Sequence, residues 1–143
     1  MDPMKYLRED VVSVSPDTSA ADMAKLMEQK NVGSLVIVDA DSRPTGIVTD
    51  RDIIVRIIAK QQRPEDVKAR DIMTRNPITF KEGMQVTDAM EQMMNKGIRR
   101  MPVVDRNGRL TGIVTQDDII RLLGEEISYI ARNIEKQSPP IPR

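Results

Sequence analysis

The chain contains no cysteine and no histidine. The first absence excludes disulfides and thiolate metal centres. The second removes the commonest general base and the commonest metal ligand. Aromatic residues are scarce, with one Phe, two Tyr and no Trp, so the interior has to be built from Ile, Val, Leu and Met. Lys plus Arg and Asp plus Glu number 22 each. A balanced chain has no general attraction to nucleic acid or to an anionic membrane. No apolar run approaches the roughly 18 residues of a membrane span. Met1-Asp2-Pro3-Met4-Lys5 leads into no apolar signal region. The expectation is a cytoplasmic protein with no membrane association and no nucleic-acid partner. No nucleophile–base arrangement, phosphate-binding loop or metal-ligand spacing occurs, so no catalytic residue, no metal site and no enzyme activity are expected.

What is present is a duplication. Thr45-Gly46-Ile47-Val48-Thr49-Asp50-Arg51-Asp52-Ile53-Ile54 returns 66 positions later as Thr111-Gly112-Ile113-Val114-Thr115-Gln116-Asp117-Asp118-Ile119-Ile120. The two runs differ only at Asp50/Gln116 and Arg51/Asp117. The same offset aligns Asp22 with Asp88, Met27 with Met93, Val38-Asp39 with Val104-Asp105 and Arg43 with Arg109. No insertion is needed from Val12 to Ile54. Each copy, roughly 55 residues, is too small to bury a comfortable core alone, so two copies sharing a core are the more stable arrangement.

Each copy reads as β-α-β-β-α. A short β-branched run opens it, Val11 to Val14 or Ile78 to Phe80. A helix follows, with Ala20, Met23, Ala24 and Met27 at i, i+3, i+4, i+7 and Val86, Ala89, Met90 and Met93 repeating the pattern. Thr18 or Ser19 is a good cap for the first helix, and Gly83-Met84-Gln85 is a poorer one for the second. Two strands come next, Ser34 to Val38 with Thr45 to Thr49, and Met101 to Val104 with Leu110 to Thr115. Asn107-Gly108 is a hairpin signal. A closing helix carries Ile53, Ile54, Ile57 and Ile58 in one copy and Ile119, Ile120, Leu122 and Leu123 in the other. The expected division is a first repeat over 7–62, a linker over 63–72, a second repeat over 73–126 and a helical extension with a disordered tail over 127–143. Met23, Met27 and Met93 are expected in the core, and Met94 on a packing face.

The repeated Gly-Ile-Val-Thr-x-x-Asp places Thr and Asp one turn apart where a strand passes into a helix. Gly46 and Gly112 leave room beside the strand for another group. Asp52 or Asp118 could accept both hydroxyls of a ribose diol, with the Thr49 or Thr115 hydroxyl beside it. The same spacing also resembles a capping box, in which the two side chains satisfy helix-start N–H groups. Spacing alone leaves both readings open.

The order of these elements, the paired Gly-h-h-Thr-x-x-Asp motifs, Asp71-Ile72-Met73-Thr74-Arg75-Asn76-Pro77-Ile78-Thr79 and Arg100-Met101-Pro102-Val103-Val104-Asp105 together resemble a tandem pair of CBS domains, a Bateman module, over about residues 7 to 125. The resemblance implies an α/β (α+β) fold of two repeats about a pseudo-twofold axis, with sheets packed at the centre. It implies a stand-alone regulatory pair that binds AMP, ADP, ATP or S-adenosylmethionine between the repeats and signals to a partner. A homodimer forming a four-repeat disk and an effector protein are the implied partners. Thr49 and Asp52, and Thr115 and Asp118, would hold ribose. The adenine would lie against Val12, Ile78, Thr79, Ile98, Met101 and Pro102, with Val32, Ser34 and Leu35 in the first copy. Arg99 and Arg100 stand where similar proteins hold phosphate, and the first copy has Gly33 and Ser34 there. The second motif is therefore expected to favour a phosphorylated ligand. Arg51 and Arg56 are weaker candidates to reach across the cleft. The alternative is a ligand-independent module that binds protein or nucleic acid.

Overall fold

The computed structural model describes residues 10–137. The first positions of the expected first repeat, 7–9, and the expected disordered tail, 138–143, lie outside them.

Two small mixed sheets each carry helices, which gives an α/β fold of two equivalent halves. In the first half β1 (Ser13–Val14) pairs parallel with β2 (Ser34–Val38), and β2 pairs antiparallel with β3 (Pro44–Thr49). Helix α1 (Ala20–Lys30) connects β1 to β2, and α2 (Asp50–Ile53) follows β3 and runs into a π turn, Ile54–Ile58. After a 3-10 turn (Pro64–Asp66) come α3 (Ala69–Ile72) and β4 (Thr74–Arg75). The second half repeats the plan with β5 (Phe80–Lys81), α4 (Val86–Lys96), β6 (Arg100–Val104), β7 (Leu110–Thr115) and α5 (Gln116–Gln137).

The offset of 66 holds at the level of single irregularities. The β2/β3 ladder shifts register between Ile37 and Val38, and the β6/β7 ladder between Val103 and Val104. Helix α1 ends on Asn31 in the left-handed region (φ 53) and α4 on Gly97 (φ 63). Those are the residue types that tolerate that conformation. Ser19 caps α1, its Oγ accepting from the Asp22 N–H at 3.1 Å. At Gln85 no side chain caps α4, and the Asp88 carboxylate instead accepts the Gln85 N–H at 3.2 Å.

Each half has its own core. Met23, Met27, Leu35, Ile37, Val48 and Ile57 fill the first, and Phe80, Met93, Met101, Val103, Val114 and Ile119 the second. The alternation of strand side chains then assigns the opposite sheet face. Val36, Val104 and Ile113 are buried without belonging to either core, so the halves meet through these faces. Hydrogen bonds cross the same junction: the Leu110 N–H donates to Ser42 O at 2.9 Å and Arg43 Nε–H to Asn107 O at 3.3 Å.

The connection between the halves is itself packed. Val67, Ala69 and Ile72 are buried in the first core, and the Ala69 N–H donates to Thr18 O at 2.8 Å. Strand β4 then pairs antiparallel with β3 and completes a four-stranded sheet.

Of the expected Ile stripe in the first closing helix, only Ile57 is fully buried. Ile54 and Ile58 are exposed, and a π turn closed by the Ala59 N–H to Ile54 O at 2.9 Å carries them. In α5, Ile119 is buried while Ile120, Ile127, Ile130 and Ile134 are exposed. Met94, at 74% exposed, is on the surface as expected. Among the described residues no helix is long and apolar enough to cross a membrane.

Candidate functional site

The two Thr-x-x-Asp motifs are complete capping boxes. Thr49 ends β3 in an extended conformation, and its N–H donates to Asp52 Oδ2 at 2.8 Å. The Asp52 N–H donates back to Thr49 Oγ1 at 3.2 Å. In the second half the corresponding distances are 3.4 Å and 3.1 Å, between Thr115 and Asp118. The cap leaves functional groups over. The Thr hydroxyl proton is still free to donate. One carboxylate oxygen is committed, and the other lies 3.6 Å from Arg56 Nε in Asp52 and 3.4 Å from Arg121 Nη2 in Asp118. Capping and ligand binding are therefore compatible at the same residues.

Thr49 and Asp52 open onto a cavity of about 350 Å³, at the lower end of the range for small-molecule sites. Ile47, Pro77, Ile78 and Ile98 are its apolar lining, and Thr74, Arg75, Asn76, Arg99 and Arg100 add polar groups. Its lining thus comes from β3 with α2, from the connecting strand β4 with Asn76 to Ile78, and from the entry to β6.

A second cavity of about 190 Å³ is its counterpart. Asp10, Val11, Val12, Val32, Gly33, Ser34, Ile113 and Thr115 line it. Adding 66 to the first six, or subtracting 66 from the last two, gives Asn76, Pro77, Ile78, Ile98, Arg99, Arg100, Ile47 and Thr49, all of which line the first cavity. Each cavity therefore joins the strand-end Thr of one repeat to the opening segments of the other. Arg100 also lines the second cavity, and Arg99 and Arg100 border a polar recess of about 320 Å³ with Thr115, Gln116, Asp117, Asp118 and Arg121.

This crossing changes the expected grouping. Arg99 and Arg100 border the recess at Thr115 and Asp118, as the sequence suggested, but they also line the larger cavity over Thr49 and Asp52. Val12, Val32 and Ser34 face Thr115 rather than the motif of their own repeat. Leu35 and Met101 are core residues, fully buried. Pro102 is buried in β6 opposite Ile113, and half-buried Thr79 precedes β5; neither lines these cavities. Arg51 lines none of them, and Arg56 turns toward its own side, donating from Nη1 to Ile72 O at 2.7 Å.

The residues that single-residue reasoning passed over are Ile47, Thr74, Arg75, Asn76 and Pro77. Ile47 carries a signal, since it alternates with buried Gly46 and Val48 along β3. Gly46 explains how the connector comes so near: a β-carbon built there would fall within 3 Å of the Met73 Cγ and Cβ atoms, at 2.7 and 2.9 Å. The glycine admits the Met73 side chain against β3 just before β4 pairs with it.

The CBS domain model matches residues 4–59 and 69–125. An uncharacterized protein of Methanopyrus kandleri is 40% identical over 129 residues, 90% of this chain; the chain spans 66% of that relative's length. A crystal structure of a CBS domain pair in complex with 5-methylthioadenosine and S-adenosyl-L-methionine superposes with a TM-score of 0.75 at 32% identity, covering 88% of this chain and 98% of that one. A CBS domain protein from Pyrobaculum aerophilum complexed with AMP gives 0.73 at 28% identity, over 82% and 89% of the two chains. With two matched domains, a shared fold and paired cavities between its halves, the chain belongs to the CBS-domain family as a tandem pair.

Proposed function

We propose that the chain is a regulatory module that binds an adenosyl ligand in the cavity over Thr49 and Asp52. The observation that carries this reading is the mixed lining of that cavity. It combines Thr49 and Asp52 with apolar Ile47, Ile78 and Ile98 and with the cations Arg99 and Arg100. A ribose diol, an adenine ring and a phosphate need those three kinds of group. The ligand complexes of the related CBS pairs support the adenosyl class. AMP fits the arginines best, and S-adenosylmethionine is the alternative without a phosphate. The smaller cavity at Thr115 is a second site of the same class. On this reading Arg99 and Arg100 serve the cavity closed by the first motif as well as the surroundings of the second, so phosphate preference is not tied to the second motif alone.

Occupancy would be signalled through the surface. Ile120, Ile127, Ile130 and Ile134 are all more than half exposed on α5, and Ile54, Val55 and Ile58 are exposed on the first closing helix. Such a face suits a second copy of the chain, and a homodimer in the cytoplasm acting on an effector protein is the arrangement we favour.

A thermal-shift panel with AMP, ADP, ATP, S-adenosylmethionine, methylthioadenosine and NADH tests the ligand reading. A ligand at 100 times its Kd stabilises by about 2.7 kcal/mol, a rise of several degrees for a domain of this size. A flat panel would overturn the reading in favour of a ligand-independent interaction module.

A further inference from the structure

Position 100 breaks the symmetry of the duplication at a place where the two cavities meet. Arg100 opens β6 opposite Thr115; its counterpart is Ser34, opposite Thr49 in β2. The Arg100 side chain reaches out of its own repeat. A β-carbon built on Gly33 would stand 3.5 Å from Arg100 Nη2 and 3.3 Å from Asp50 Oδ2. The guanidinium thus lies within van der Waals reach of the first repeat at Gly33. Arg100 lines the larger cavity, the smaller cavity and the polar recess. Among the described residues no hydrogen bond or ion pair holds it.

The two cavities depend on it unequally. The larger one is also lined by Arg75 and Arg99. Among the described residues Arg100 is the only cation lining the smaller one, and Asp10 is the other charged group on its wall. Ser34 is too short and carries no charge to replace it. A guanidinium satisfies a phosphate best as a two-point fork, and one fork serves one phosphate at a time.

We propose that Arg100 is a single anion anchor shared by both cavities, so that phosphorylated ligands bind the pair with negative coupling and uncharged adenosyl ligands do not. The proposal rests on the adenosyl reading above. A phosphate in the larger cavity draws the guanidinium to itself and leaves the smaller cavity with Asp10 as the one charged group among its described lining residues. Coupling between sites is reciprocal, so a phosphate held first in the smaller cavity weakens the larger one by the same factor. Negative coupling spreads the response to a nucleotide over a wider concentration range than two independent sites would.

The test is titration calorimetry with AMP and with adenosine, giving two stepwise dissociation constants per chain. In the native protein the ratio of second to first AMP dissociation constants should exceed the adenosine ratio by about tenfold, within the usual range of site coupling. The adenosine ratio reads the difference between the two unequal cavities without a phosphate. One AMP against two adenosines per chain is the limiting form of the same result. Arg100→Ser, which copies the first repeat, should weaken the first AMP about tenfold and leave the second unchanged, because the second already binds without the guanidinium, with folding checked by the melting temperature. Arg100→Gln serves if the serine variant does not fold. Equal ratios for the two ligands in the native protein, or a second AMP that the substitution weakens as much as the first, overturn the shared anchor and leave the adenosyl reading standing. Binding of neither ligand removes the adenosyl reading, and the shared anchor with it.

Discussion

Asp52 divides its two carboxylate oxygens between two tasks: Oδ2 accepts the Thr49 N–H at 2.8 Å, and Oδ1 faces Arg56 Nε at 3.6 Å. Asn at this position can keep the first contact through its carbonyl oxygen but places an amide where the second oxygen was. Asp52→Asn should therefore change stability by less than about 1 kcal/mol, the size of a cap contribution. It should weaken AMP binding about ten- to a hundredfold, the loss of a charge-assisted hydrogen bond. Urea unfolding and calorimetry on the same sample separate the two roles. Equal AMP affinity would reduce the motif to a helix cap.

Arg99 reaches the larger cavity and the polar recess but not the smaller cavity. Arg99→Gln should cost AMP about tenfold more affinity than it costs adenosine, because the arginine fork meets only the phosphate. Parallel titrations with the two ligands give this ratio. A loss shared equally by both would place the side chain at the sugar or base instead.

Gly46 is needed for space rather than for backbone freedom. Ala there would press its methyl group onto Met73, whose Cβ is too near the main chain to move away freely. Gly46→Ala is expected to destabilise by about 1–3 kcal/mol, as overpacking does. Met73→Ala in that background should recover part of the loss. Chemical denaturation of the single and double variants gives the coupling.

Phe80, the lone phenylalanine, is 1% exposed in the second core. Phe80→Ala should cost about 3–5 kcal/mol. Because the two cores are separate clusters, unfolding monitored by hydrogen exchange should report the loss first in α4 and β6.

Ile127 and Ile130 contribute little to the folded chain itself, being 67% and 56% exposed. If they cover a second copy, Ile127→Glu with Ile130→Glu should convert a dimer to a monomer in sedimentation equilibrium. A native protein that sediments as a monomer would rule this surface out as a self-contact.

The repeat was legible because both copies solve the same packing problem at the same positions. Met27 and Met93 fill equivalent core sites, and Asp39 and Asp105 close equivalent turns. The Asp39 Oδ1 accepts from the Asp41 and Arg43 N–H groups at 2.9 and 3.0 Å, and the Asp105 Oδ1 from those of Asn107 and Arg109 at 2.8 and 3.0 Å. Thr49, Asp52, Ile78, Ile98, Arg99 and Arg100 were all visible as site candidates. Their grouping was not. A constant offset relates each residue to its equivalent and carries no information about which repeat's side chain lies across from it. The exposure of Ile54 and Ile58 was hidden for another reason. Ile54 and Ile120 are exposed at equivalent positions, and an apolar run on a helix does not say which of its sides meets the core.

Strand β4 has a consequence for the duplication as a whole. It lies on the edge of the first sheet, yet it leads directly through Asn76 and Pro77 into the second half. A chain made of two copies has one such junction between them. One cavity is therefore walled by a segment tethered at both ends, while the other is walled by Asp10 to Val12, where the chain first enters the described fold. A molecule lodged beside Thr74 to Ile78 touches the strap that sets how the two sheets are held together. Gene duplication supplied two equivalent pockets of unequal size, and the segment that joins the halves lines the larger of them.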